Sequence, residues 1–170
     1  MKKRGGPAIL FIAMLLLLAT FSLWRGGAFS AALPLRGEEA GDVETFFSPE
    51  ELKVIELVNS EREKAGLSPL APEPGSLADA TKIRAKEACE SFSHTRPDGR
   101  SWGSALEDSG VSFRKAGENL AFGQPTPEEA VAAWMGSEGH RANILGDYTR
   151  TAVSCRGKDG LLYWCQLFIR

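Results

Sequence analysis

Histidine is nearly absent from this chain of 170 residues: only His94 and His140 are present. Any chemistry that needs an imidazole must use one or both. Cysteine is scarce and odd in number, with Cys89, Cys155 and Cys165. That excludes a dense disulfide scaffold and leaves one bridge and one thiol at most. An excess of positive charge is also missing. Twenty basic residues face 22 acidic ones, a net charge of −2, which argues against a broad nucleic-acid-binding surface. No His-Glu-x-x-His run offers zinc two ligands on one helix, and no Gly-x-Ser-x-Gly elbow offers a serine nucleophile. There is no internal repeat. With 43% hydrophobic and 25% charged residues, what remains is an ordinary globular composition, enough for one medium domain with extensions.

The first thirty residues contain Lys2, Lys3, Arg4 and Arg25 and no acid, with an apolar run over residues 8–24. A basic start, an apolar middle and the small residues that follow read as a secretory signal peptide over 1–30. The run is about 17 residues long, the lower limit for spanning a bilayer, so an uncleaved N-terminal anchor is the alternative. No cysteine follows it, which disfavours lipoprotein processing. Beyond residue 30 the chain carries 16 basic and 22 acidic residues, a net charge of −6. No partner of nucleic-acid type is expected for so acidic a chain, and membrane contact is expected only through an uncleaved N-terminus. Residues 31–47 show no apolar period and read as an acidic tether; the globular domain is expected over 48–170.

Within that domain, Ser48-Pro49-Glu50-Glu51 is a helix start with N-cap, first-turn proline and capping box. Leu52, Ile55 and Val58 follow at helical spacing, and Gly66 is a stop. A second helix opens at Ser76, with an apolar face of Leu77, Ala80, Ile83 and Ala88, and ends near Phe92. A third starts at Thr126-Pro127-Glu128-Glu129 and buries Val131, Trp134 and Met135. Residues 117–122 suit a strand. Residues 149–155 and 161–169 suit two more, joined by Arg156-Gly157-Lys158-Asp159-Gly160 as an antiparallel hairpin. Helices first and strands late predict an α+β fold. Cys155 and Cys165 flank the hairpin, so a Cys155–Cys165 disulfide is the preferred pairing; pairings with Cys89 remain open.

His94 precedes the turn Arg96-Pro97-Asp98-Gly99, and His140 follows the Trp134 helix. Between them in sequence lies Gly117-Glu118-Asn119, an acid at a strand start. Two neutral imidazoles and a carboxylate can form a zinc shell with an open position, or a general acid–base set. They can equally be hydrogen-bonded loop residues. Ser137 and His140 are an i,i+3 pair on one helical face, but no third triad member is evident. Cys89 sits near a helix end where the dipole disfavours thiolate, so a structural role is expected. Trp134, Trp164, Phe168 and Phe122 read as core, and Trp102 as a residue at a cleft rim. Arg141 and Asn143 are expected to hold the His140 segment through bonds to backbone carbonyls.

Five motifs occur in order: Leu57-Val58-Asn59-Ser60-Glu61-Arg62, Ser93-His94-Thr95-Arg96-Pro97-Asp98-Gly99, Gly117-Glu118-Asn119-Leu120-Ala121, the run from Trp134 to Leu145, and Tyr163-Trp164-Cys165-Gln166-Leu167-Phe168. Together they resemble the CAP superfamily (cysteine-rich secretory proteins, antigen 5 and pathogenesis-related 1 proteins) in its short bacterial form. The resemblance implies a three-layer α-β-α sandwich with an antiparallel sheet and an open cleft. It assigns His94, Glu118 and His140 to that cleft. A second acid is usual three residues beyond the helix tryptophan, and here that position holds Ser137. Glu138 is one residue later, turned about 100° around a continuing helix.

The implied role is secreted or envelope-associated binding of a small molecule, lipid, glycan or cell-wall ligand in the cleft formed by His94, Glu118, Ser137 and His140. The alternatives are a metal-assisted hydrolase of peptide or glycan, with zinc on His94, His140 and Glu118, and a structural partner in envelope or spore assembly.

Overall fold

Ser48 begins the main body of the domain as read from the sequence. Its hydroxyl accepts from the Glu51 amide at 3.2 Å, and the Glu51 carboxylate accepts from the Ser48 amide at 2.8 Å. This reciprocal cap satisfies two amide donors that the first helical turn leaves unpaired. The helix it starts, α2 (Pro49–Lys64), is preceded by α1 (Ala40–Phe46) and ends before Gly66, whose φ is +74°. This computed structural model describes residues 40–170; the apolar run over 8–24 and the first part of the tether lie outside the described residues. The tether expected over 31–47 needs correction at its C-terminal end. Val43, Phe46 and Phe47 lie at i, i+3 and i+4, and all three pack on the core.

The remaining elements are β1 (Ala71–Pro72), α3 (Ser76–Glu90), α4 (Ser104–Asp108), β2 (Ala116–Phe122), α5 (Pro127–Met135), α6 (Glu138–Ile144), β3 (Arg150–Lys158) and β4 (Leu161–Ile169). Thr126 caps α5 by accepting from the Glu129 amide at 3.2 Å. The sheet order is β1-β3-β4-β2, antiparallel except for the two-residue parallel pairing of β1 with β3. α3 covers one face. α2, α5 and α6 cover the other, giving the expected three layers of an α+β fold.

Strand alternation divides the core in two. Ala152, Cys165, Leu167, Ile169 and Leu120 face α3, while Val153, Trp164, Phe168 and Ala121 face α2, α5 and α6. Burying a side chain such as Phe168 completely contributes about 1.5–3 kcal/mol. Both clusters are drawn from residues 43–169 within one compact unit, Gly37–Arg170. The unit therefore carries its own core and is self-supporting. Among the described residues, no helix is long and apolar enough to cross a membrane.

Two expectations change here. The β3–β4 turn is the two-residue Asp159-Gly160, with both φ values positive (53° and 77°), as a tight hairpin of this kind requires. The resulting register pairs Cys155 with Trp164 and Ser154 with Cys165. Cys155 and Cys165 are thus one residue out of step, and such a slip places side chains on opposite faces of a sheet. All three cysteines are free thiols, so the Cys155–Cys165 bridge is not formed. On α3, the place expected for Ile83 in the core is taken by Arg84: Ile83 is exposed, whereas the Arg84 side chain is fully buried.

Candidate functional site

β2 is an edge strand, and its free edge is where the site is built. An uncovered edge leaves alternate carbonyls without partners. Here three of them take a side-chain donor. Tyr148 Oη donates to the Ala116 carbonyl at 3.3 Å, Asn143 Nδ2 to Glu118 at 3.0 Å, and Trp134 Nε1 to Leu120 at 3.1 Å. Asn143 also donates to Asn119 Oδ1 (2.9 Å), and Asn119 Nδ2 donates to the His140 carbonyl (3.1 Å). These bonds lash α6, and with it His140, to the strand that carries Glu118. Gly117 permits the close approach: a Cβ there would sit 2.7 Å from Tyr148 Oη and 3.0 Å from Asn143 Oδ1.

His94 arrives from the other side, on a tight hairpin. The Gly99 amide donates to the Arg96 carbonyl (2.9 Å), closing the Pro97-Asp98 turn, and Thr95 bridges Ser101. The Trp102 amide donates to the His94 carbonyl at 3.1 Å. The Trp102 ring, half-buried, packs on the α3-side core.

The histidine rings come within 6.4 Å, centroid to centroid, at 52°. His94 Nδ1 donates to Glu118 Oε1 at 2.7 Å. Glu118 has no exposed side-chain surface, and its second oxygen accepts from Arg84 Nε at 2.7 Å. Arg84 Nη2 also reaches Oε1 at 3.3 Å and the Ser93 carbonyl at 2.8 Å. The ion pairing continues outward from Arg84 to Glu87 (2.6 Å), Arg96 (2.8 Å) and Asp108 (2.7 Å). Asp108 meets Arg100, which meets Asp98. A chain of alternating charge therefore runs from Glu118 to the turn of the His94 hairpin.

The electrostatic consequences differ for the two histidines. The Glu118 hydrogen bond holds the His94 pKa above its usual 6.5, against the effect of burial. Burial, followed by repulsion from His94, holds His140 below 6.5. Arg84 pays for its burial with Glu118 and then Glu87 as partners, and its charge is reinforced. The Cys155 thiol is pushed up to about 12, chiefly by burial, and burial raises Cys165 and Cys89 as well. None of the three is poised as a thiolate.

The structure thus joins His94, Glu118 and His140. Ser137 stands as N-cap of α6 one turn before His140, with extended backbone and no capping bond from its hydroxyl. The helix does break after Trp134, at Gly136-Ser137, ahead of Gly139. The break does not bring Glu138 to the histidines; Glu138 is exposed and lines a separate depression with Met135, Arg141 and Leu145. Asn143 holds α6 as expected, whereas Arg141 is exposed. His140 itself lies on helix α6.

Zinc is the metal that two imidazoles and a carboxylate raise in the sequence, and the residues do not fit it well. Both oxygens of Glu118 are already accepting, which leaves two imidazoles without the third protein ligand a zinc centre uses. Among the described residues, no group of three His, Cys, Asp or Glu side chains is placed to hold a metal ion. Arg84 was not anticipated from sequence. Its signal was a charged residue between Ala80, Thr81 and Ala88 on an otherwise small and apolar helix face.

The comparisons agree with this architecture. The profile of the cysteine-rich secretory protein family, CAP, matches residues 55–168. Over 122 residues the chain is 40% identical to the uncharacterized protein YkwD of Bacillus subtilis, covering 70% of this chain and 46% of that protein. It is 33% identical to the uncharacterized membrane protein YlbC of the same organism, over 71% of this chain and 34% of the relative. The chain thus spans less than half the length of these curated relatives. An extracellular SCP-domain protein from Bacillus anthracis superimposes with a TM-score of 0.67 at 27% identity, covering 80% of this chain and 45% of that one. An outer surface protein of Borrelia burgdorferi shares the fold alone, with a TM-score of 0.65 at 22% identity over 73% of this chain and 95% of that one. With a family match over most of the globular unit and a β2 edge that gathers both histidines around Glu118, the chain belongs to the CAP family of cysteine-rich secretory proteins.

Proposed function

We propose that this is an exported, envelope-associated CAP-domain protein whose cleft binds a polar ligand without cleaving it. One observation carries the reading: Glu118 is fully buried and committed to Arg84 and His94. A general base or metal ligand needs an oxygen with free access, and Glu118 has none to give. The position of a second acid holds Ser137, so no spare carboxylate takes over. What the cleft offers is a half-exposed His94 ring, oriented by its Nδ1 bond and carrying positive charge more readily than usual, beside a neutral His140. That pair suits a ligand rich in hydrogen-bond acceptors, such as a cell-wall glycopeptide. Export is supported by the N-terminal pattern and by the extracellular character of the Bacillus anthracis SCP-domain protein.

The test is an NMR titration of residues 37–170 with soluble peptidoglycan fragments, with the products followed by mass spectrometry. Saturable shifts of both imidazoles with intact fragments are expected. Cleaved fragments would overturn the reading in favour of hydrolysis.

A further inference from the structure

The largest exposed apolar side chains are not scattered. Phe92 and Phe122 are 46% and 48% exposed, and their ring centroids lie 4.6 Å apart. Phe122 stacks on Tyr163 at 5.9 Å and 20°, and Phe92 reaches the same ring at 6.5 Å. Register supplies the neighbours. Tyr163 pairs with Phe122 on one side and Arg156 on the other, and Leu161 pairs with Lys158. Directly opposed residues share a sheet face, so these side chains form one patch beyond the C-terminal end of α3. Leu161 is itself 42% exposed.

Beside the rings lies a depression of about 340 Å³ whose lining includes Lys86, Arg156, Lys158 and Glu90. Lys158 Nζ donates to the Cys89 carbonyl at 2.7 Å. Among the described residues, the side chains of Lys86 and Arg156 make no hydrogen bond or ion pair. The acids nearby are Glu90, Glu87, which is already paired with Arg84 and Arg96, and, in the turn, Asp159.

We propose that this end of the domain docks on an anionic lipid surface, with Phe92, Phe122, Tyr163 and Leu161 entering the headgroup–acyl boundary while Arg156 and Lys86 meet lipid phosphates. Aromatic rings with an aliphatic side chain, flanked by basic residues, are the composition that binds at such an interface. The patch is locally basic on a chain that carries −6 beyond residue 30, so this face suits approach to an anionic membrane. None of the patch residues belongs to the His94–Glu118–His140 cleft, so this inference and the cleft reading fail separately.

Co-sedimentation of residues 37–170 with vesicles tests it, using phosphatidylcholine alone or with about one third phosphatidylglycerol. Binding to the anionic vesicles is expected, weakened roughly tenfold or more by Phe92→Ala with Phe122→Ala. Arg156→Glu should weaken it about fivefold or more. Lys53→Glu, on α2, should leave it unchanged. Phe122→Trp provides a second readout: its emission should shift to the blue when anionic vesicles are added. No anionic binding, binding indifferent to the ring and Arg156 variants, or a dimer in sedimentation velocity that Phe122→Ala dissolves would each overturn the proposal.

Discussion

Glu118 sits where no water reaches, so its charge must be met by protein, and Arg84 meets it. A buried pair of this kind contributes modestly when intact and costs heavily when halved. Glu118→Ala leaves the buried Arg84 with Glu87 and the Ser93 carbonyl but with its Nε unpaired, and should lower unfolding free energy by about 3–5 kcal/mol in urea denaturation. His94→Ala, at the half-exposed end of the same chain of charges, should cost only about 0–1 kcal/mol. Comparable losses from both would contradict the assignment of Glu118 as an anchored carboxylate. The histidines make an independent prediction. His94 should titrate above 6.5 and His140 below it in an NMR pH series, and the reverse order would contradict the geometry. The signs for stability follow from linkage. His94 binds its proton more tightly folded than unfolded, so its contribution is full below 6.5 and fades as pH rises through its raised folded value. His140 acts oppositely, destabilising the fold as pH falls below 6.5.

At the scale of elements, α6 and β2 behave as one piece. The sequence showed the Gly-Glu-Asn motif and the Trp134–Leu145 run separately, and nothing in either announced that Asn143, Trp134 and Tyr148 cap alternate carbonyls of a strand distant in sequence. Such bonds depend on which edge is left open, a property of the assembled sheet. Gly117→Ala forces a Cβ against Tyr148 and Asn143 and should destabilise by about 1–3 kcal/mol. It should also shift the His140 imidazole resonance, because the Asn143 side chain that ties α6 to β2 must give way; an unchanged resonance would contradict the coupling. Caps and turns, by contrast, were legible because they are local: Ser48, Thr126 and Arg96-Pro97-Asp98-Gly99 behave as their residue types dictate. The hairpin was legible except for its register. One residue in the placement of the turn decides whether Cys155 and Cys165 share a face, and Asp159-Gly160 decides that they do not. Peptide mapping of the oxidised protein without reductant should accordingly show no Cys155–Cys165 linked peptide.

For the whole molecule, the layered fold followed from the order of helices and strands and from the five ordered motifs. That His94, Glu118 and His140 would come together followed from the motifs alone, since they come from three separate segments. What those motifs did not reveal is Arg84, because a single arginine on an alanine-rich helix face gives no sign in one dimension of the carboxylate it will meet. Yet Arg84 decides the chemistry, by turning a candidate ligand or base into a fixed support for His94. Arg62 does comparable work in holding the architecture. Nearly buried, it donates to the carbonyls of Ser68, Ile144, Gly146 and Tyr148, fastening α2 to the end of α6.

The central claim is that the cleft is a binding site on a locked carboxylate and not a metal centre. Calorimetric titration of zinc into residues 37–170 near neutral pH tests it most directly, with His94→Ala and His140→Ala measured in parallel. The account predicts no saturable site in any of the three proteins. One site per chain, lost in both variants while both remain folded, would contradict it, because Glu118 would then have to leave Arg84 or two imidazoles suffice.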